Sequence, residues 1–190
     1  MKAGFALLVD DPAHNLMRNL AIEIDAKYQT GLIAARLLPH ISLKQPFPIQ
    51  DLSALAGYFD QLAATLRPVP VALKQVEVLV SPDENTPGIV WLDVEESNEL
   101  RDLHNRLNRE LAARFENTAA PFDGPEYHFH ATVTYAGQPA AVYRQIHSEY
   151  DRQPVGYTFT ANRIGLFYSI EAEGKAEAYV SYRIYGLGSQ

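Results

Sequence analysis

His40-Ile41-Ser42-Leu43 and His130-Ala131-Thr132-Val133 read alike: histidine, apolar, hydroxyl, apolar. They stand ninety positions apart, one in each half of a 190-residue chain. In a β-strand, side chains at i and i+2 share a face. Each stretch, read as a strand, therefore sets an imidazole and a hydroxyl on one side and two apolar groups on the other. Laid side by side, two such strands would gather two imidazoles and two hydroxyls about one point.

The chain around these stretches reads as α+β. Residues 3–9 are apolar enough for a buried strand, and Asp11-Pro12 then opens a helix with Leu16, Leu20, Ile24 and Tyr28 on one side, stopped by Gly31. Residues 32–38 fit a strand or an apolar loop. Pro39 forces an extended entry into the first motif strand, His40–Gln45, and Pro46-Phe47-Pro48 marks its end. Asp51 is placed to cap a helix carrying Leu52, Leu55, Phe59, Leu62 and Leu66, closed by Pro68. Residues 71–80 and 89–94 read as antiparallel strands joined by a Pro/Gly/Asp loop.

The order then repeats. Ser97 caps a helix with Leu100, Leu103, Leu107 and Leu111, and a Pro/Gly loop over 117–127 leads to the second motif strand, Tyr127–Tyr135. A helix with Val142, Ile146 and Tyr150 follows, then a long strand region over 155–170, kinked at Gly165. A turn at Ala172-Glu173-Gly174-Lys175 leads to a last strand, 177–185. The expectation is a single bilobal domain over residues 1–190. Its two lobes are related by a pseudo-two-fold axis, each an antiparallel sheet with flanking helices contributing one motif, with a cleft between them.

Bulk properties narrow the function. The net charge is −7 and no Lys/Arg cluster occurs, so an extended nucleic-acid groove is not expected. An anionic substrate must be met locally, which favours a small nucleotide or an RNA end. No run of 18 apolar residues is present, so no membrane partner is expected. Residues 3–9 are too short for a signal peptide, and cysteine is absent, which excludes disulfides and thiolate metal sites. A cytoplasmic monomer is the expectation.

The motif residues suit general acid–base work on a phosphodiester. Histidine can give or take a proton near neutral pH. Ser42 and Thr132 can donate to non-bridging phosphate oxygens, where charge gathers in the transition state. No metal or other cofactor is called for. Strand parity adds Lys44 beside His40 and Ser42 as a phosphate contact, and His128 and Thr134 beside His130. Phe47, Tyr135 and Tyr168 are candidate base-stacking residues.

The paired His-x-Ser/Thr motifs resemble those of the 2H phosphoesterase superfamily, which includes bacterial 2′-5′ RNA ligases and 2′,3′-cyclic nucleotide phosphodiesterases. Leu38-Pro39-His40-Ile41-Ser42-Leu43-Lys44 is close to that family's first motif, including the proline, and Phe129-His130-Ala131-Thr132-Val133 fits the second. The resemblance implies a bilobal α+β fold and metal-independent chemistry on 2′,3′-cyclic or 2′-5′ linkages, run as hydrolysis or, in reverse, as ligation. It carries over His40 and His130 as the acid–base pair and Ser42 and Thr132 as phosphate binders. Ser42 stands where threonine is common.

Two other readings compete. His128-x-His130 on one strand face, with His40, has a zinc-like spacing, but that use would leave both hydroxyls idle. A non-catalytic module could hold nucleotides or RNA ends in the same cleft, although a pure binder does not need both imidazoles. His104 and His147 fall beside the apolar stripes of their helices, as boundary residues.

Overall fold

The computed structural model describes residues 1–32, 34, 37–84, 86–170 and 178–188. Its elements run β1 (Lys2–Leu8), α1 (Asp11–Tyr28), β2 (His40–Pro48), α2 (Leu52–Ala63), β3 (Val69–Leu79), β4 (Ile89–Val94), α3 (Asn98–Arg114), β5 (His130–Tyr135), α4 (Ala140–Tyr150), β6 (Pro154–Ala161), β7 (Arg163–Ile170) and β8 (Ala178–Gly186). They form two four-stranded antiparallel sheets, ordered β2-β1-β7-β8 and β5-β4-β3-β6. Four helices accompany them, giving a two-lobed α+β fold. The expected turn at 172–175 and residues 33, 35 and 36 of the ambiguous 32–38 stretch lie outside the described residues.

The two sheets match in plan. The unit β1-α1-β2 answers to β4-α3-β5, and each motif strand occupies the edge of its sheet beside the strand that precedes its helix. The lobes are not the two halves of the chain, however. The first sheet joins the first two strands to the last two, and the middle of the chain builds the second. The long strand expected over 155–170 is therefore two strands in different sheets. The break falls at Asn162, whose carbonyl accepts from the Leu187 amide at 2.7 Å, and not at Gly165.

Three of the helices start where the sequence supplies a side-chain cap. Asp10 Oδ1 accepts from the Ala13 amide, Asp51 Oδ1 from Ser53 and Ala54, and Ser97 Oγ from Leu100. α1 buries Ala13, Met17, Ala21 and Ile24, with Leu16, Leu20 and Tyr28 at the margin. The two alanines let the helix lie close, which shifts the buried face from the one the leucines mark. α2 ends at Ala63, three residues before Leu66. β5 begins at His130, later than the sequence suggests.

β2 runs on through Pro46-Phe47-Pro48 because it is an edge strand, where a missing N–H costs no ladder bond. Its free edge is held from outside. Tyr127 Oη–H donates to the Ser42 carbonyl at 2.9 Å, and His104 of α3 reaches the Leu43 carbonyl through Nδ1, also at 2.9 Å. His104 is fully buried, not at a boundary as its sequence position suggests. α3 thus packs on β2, and α1 reciprocally on β5, so each motif helix leans on the opposite motif strand. One apolar cluster draws on both sheets and all four helices. Among the described residues no helix is long and apolar enough to cross a membrane.

Candidate active site

Where β2 and β5 approach, a cavity of about 590 Å³ opens between the lobes. His40 and Ser42 line it from one side, His130 and Thr132 from the other. Strand pairing explains the placement. Ser42 stands opposite Ala6 and His40 opposite Leu8, on the face of the first sheet that carries Phe167. Thr132 stands opposite Trp91 and His130 opposite Asp93. Ile41, Leu43, Ala131 and Val133 point the other way, into the apolar cluster.

Both imidazoles are fixed in the same manner. The Nδ1–H of His40 donates to the Leu38 carbonyl at 2.8 Å, and that of His130 to the His128 carbonyl at 2.9 Å. A carbonyl oxygen only accepts, so Nδ1 carries the hydrogen and Nε2 is left to exchange protons. Burial lowers the pKa of both rings below the usual histidine value, and each backbone hydrogen bond works against that shift. For His130 the charges of His128 and His40 lower it further, while Glu77 raises it.

Each ring also rests on an aromatic neighbour. Phe167 lies 5.4 Å from His40, centroid to centroid, and Trp91 stacks on His130 at 4.4 Å. Gly165 makes room for the first contact, since a Cβ there would come within 2.7 Å of the Phe167 ring. Neither backing residue stands out in the sequence. Trp91 shares the β4 face of Asp93 by simple alternation, which was the available signal. Arg18 of α1, Gln45 and Tyr179 also line the cavity, and sequence reading misses them.

The secondary candidates divide. Tyr135 lines the cavity and is 40 % exposed. Lys44 also lines the cavity, but it does not share the strand face of His40. A β-bulge after Ser42 sets it opposite Phe5, a core residue, where its ammonium is buried in an ion pair with Asp123 and lies over the Phe47 ring. Phe47 is fully buried against Phe5 and has no open face for a base. Tyr168 lies outside the cavity lining, edge-on to Tyr182. The same bulge recurs in β5 after Thr132, and it turns Thr134 opposite Val90 and fully buries it. A regular strand would have kept Lys44 and Thr134 on the face of the motif histidines.

The zinc-like histidine set is not assembled. His128 points its Nε2 at Asp93 Oδ1 (3.3 Å) and Glu77 Oε2 (3.5 Å), away from a common centre with His40 and His130. Glu77, Asp93 and His128 are the described residues whose ligand atoms lie close enough to share a metal ion.

Known proteins share this architecture. E. coli LigT, solved with 3'-AMP, superposes with a TM-score of 0.60 at 18 % identity over 98 % of each chain. TT0787 of Thermus thermophilus gives 0.59 at 17 %, again over 98 % of each. At such identities the likeness is one of fold. Among sequence relatives, a Geobacillus kaustophilus (strain HTA426) protein named "Putative phosphoesterase" is 27 % identical over 189 residues, 98 % of each chain. One of the same description from Geobacillus thermodenitrificans (strain NG80-2) is 26 % identical over 174 residues, 90 % of each. The family model described as 2'-5' RNA ligase superfamily matches residues 9–172, and the chain belongs to that superfamily, the 2H phosphoesterases.

Proposed function

We propose that the protein is a phosphoesterase acting on 2′,3′-cyclic phosphates or 2′-5′ linkages of nucleotides or RNA ends, by paired-histidine acid–base catalysis without a metal. Residues 1–190 then form one bilobal domain with the reaction in its cleft. The observation that carries the reading is the pair of imidazoles in one cavity, each tied back through Nδ1, with a hydroxyl two residues along each strand.

In hydrolysis one Nε2 takes a proton from the attacking water as its oxygen bonds to phosphorus. The other Nε2 gives a proton to the ribose oxygen as the P–O bond breaks, leaving a phosphomonoester. Ser42 and Thr132 donate to the non-bridging oxygens, and neutral donors suit a protein of net charge −7. Ligation is the same path reversed, with a hydroxyl in place of water. Tyr135 offers a face at the cavity for the base. The fold neighbour LigT has been solved with 3'-AMP, a nucleotide of the size expected here.

The test is turnover of a nucleoside 2′,3′-cyclic phosphate in EDTA. His40→Ala and His130→Ala should each lose about 10²-fold or more, the usual share of a general acid or base. Undiminished rates in both variants would overturn the assignment. Tight nucleotide binding with no turnover across cyclic and 2′-5′-linked substrates would make the protein a binding module instead.

A further inference from the structure

The two imidazoles have unlike surroundings. His130 stacks on Trp91 at 4.4 Å with the planes 28° apart. The Trp91 Nε1–H donates to Glu77 Oε2 at 3.0 Å, and Glu77 Oε1 accepts from Gln75 Nε2 at 3.2 Å. The indole is thus held by a carboxylate that is itself held. Asp93 stands opposite His130 in the β4–β5 register. His40 instead meets Phe167 at 5.4 Å, on a patch made of Ala6, Leu8 and Leu37.

We propose that Trp91 is a positioning residue for His130 and makes it the imidazole that keeps the proton when the pair holds one, leaving His40 neutral. An indole face is the best aromatic partner for a cation, and phenyl is weaker. Glu77 on β3 adds negative charge on the His130 side, while Asp93 on β4 is offset by its ion pair with Lys74 at 3.6 Å. His128, just before β5, and His40 on β2 oppose the proton on His130 when they are charged, and His128 is itself set against both carboxylates. Arg18 lines the cavity that both rings share and disfavours a second cation there. The catalytic consequence rests on the reading under Proposed function. In ring opening, His40 takes the water proton while the P–O bond to water forms. His130 gives its proton to the departing ribose oxygen, and the pair regains its starting state by exchange with solvent.

Trp91 is the only tryptophan, so its emission reports on the ring it touches. Protonated imidazole quenches a stacked indole. Emission should therefore fall through one transition as the pH drops, vanish as a transition in His130→Asn, and persist in His128→Gln, which removes the more distant ring at 5.5 Å. A transition kept in His130→Asn, or lost in His128→Gln, overturns the proposal. With a cyclic nucleotide, Trp91→Leu should move the alkaline limb of the kcat/KM profile down by about half a pH unit. It should lower kcat with little change in KM, and Trp91→Phe should recover part of both. Unmoved limbs in Trp91→Leu overturn it as well. If the wild type turns over no cyclic or 2′-5′ substrate, the proposed function fails, and the emission titration still decides the role of Trp91.

Discussion

Burial sets the resting condition of both imidazoles. It holds the pKa of His40 and of His130 below the ordinary value of about 6.5, so both rings are mainly neutral at pH 7. Acid–base work needs one ring protonated and one not. The kcat/KM profile should therefore be bell-shaped with both limbs below about 6.5, the apparent values belonging to the pair. A maximum above pH 7 with a cyclic nucleotide would contradict this. Stability follows the same sign. His104, buried in the core, is also lowered, chiefly by burial. The unfolded chain takes protons on these three rings first, so stability is full above about pH 6.5 and falls as the pH drops toward the folded values. Urea midpoints at pH 8, 6.5 and 5.5 should show a plateau and then a decline. Phe47 and Tyr135 separate the two fates of a residue near a motif. Phe47→Ala should cost about 3–5 kcal/mol by denaturation, as an emptied core site does. Tyr135→Ala should leave stability within about 0.5 kcal/mol and raise KM. The sequence offered both as stackers, because an aromatic near a motif looks the same whichever way its strand turns.

The turn comes from the bulge, and a bulge has no sequence signature in these strands. Alternation holds from His40 to Ser42 and from His130 to Thr132, which is why these four positions were legible. One residue later each ladder slips, so parity fails for Lys44 and Thr134 and for whatever follows. The slip gives Lys44 a structural task. Its buried ammonium pairs with Asp123 and ties the loop between α3 and β5 to the motif strand β2. Asp123→Ala should then cost about 3–5 kcal/mol, because it strands a buried cation. Lys44→Met combined with Asp123→Asn, which removes both charges and keeps the bulk, should cost clearly less. Matching losses for the two, by urea denaturation, would mean the ion pair is not what holds the loop. Helix positions were readable for a simpler reason. Asp10, Asp51 and Ser97 are local caps, and a cap needs no knowledge of the rest of the fold.

At the scale of the molecule, the repeat of order along the chain was visible and the assignment of strands to sheets was not. Asn162 separates β6 from β7 with no proline or glycine to announce it, and the two strands go to different lobes. Pairing the chain's first strands with its last is a long-range choice that local pattern does not encode. The outcome matters for binding. With the motif strands at facing sheet edges, the candidate site is a cleft between lobes and not a groove along one surface. Among the described residues, Lys44 and Arg18 are the lysine and arginine that line it. Lys44 is paired with Asp123, and the Arg18 guanidinium donates to His14 Nε2 at 3.3 Å and to the Leu37 carbonyl at 3.4 Å. So few cations can displace few counterions. Each phosphate neutralised by a cation on a single strand contributes a slope of about −0.7 to log K against log salt. Binding of a short RNA ending in a cyclic phosphate should therefore fall with salt at a slope no steeper than about −1 to −1.5. Lengthening the RNA beyond the nucleotides that reach the cleft should not steepen it. A slope that grows with RNA length would place a basic track outside the cleft, which an acidic chain without a Lys/Arg cluster does not provide.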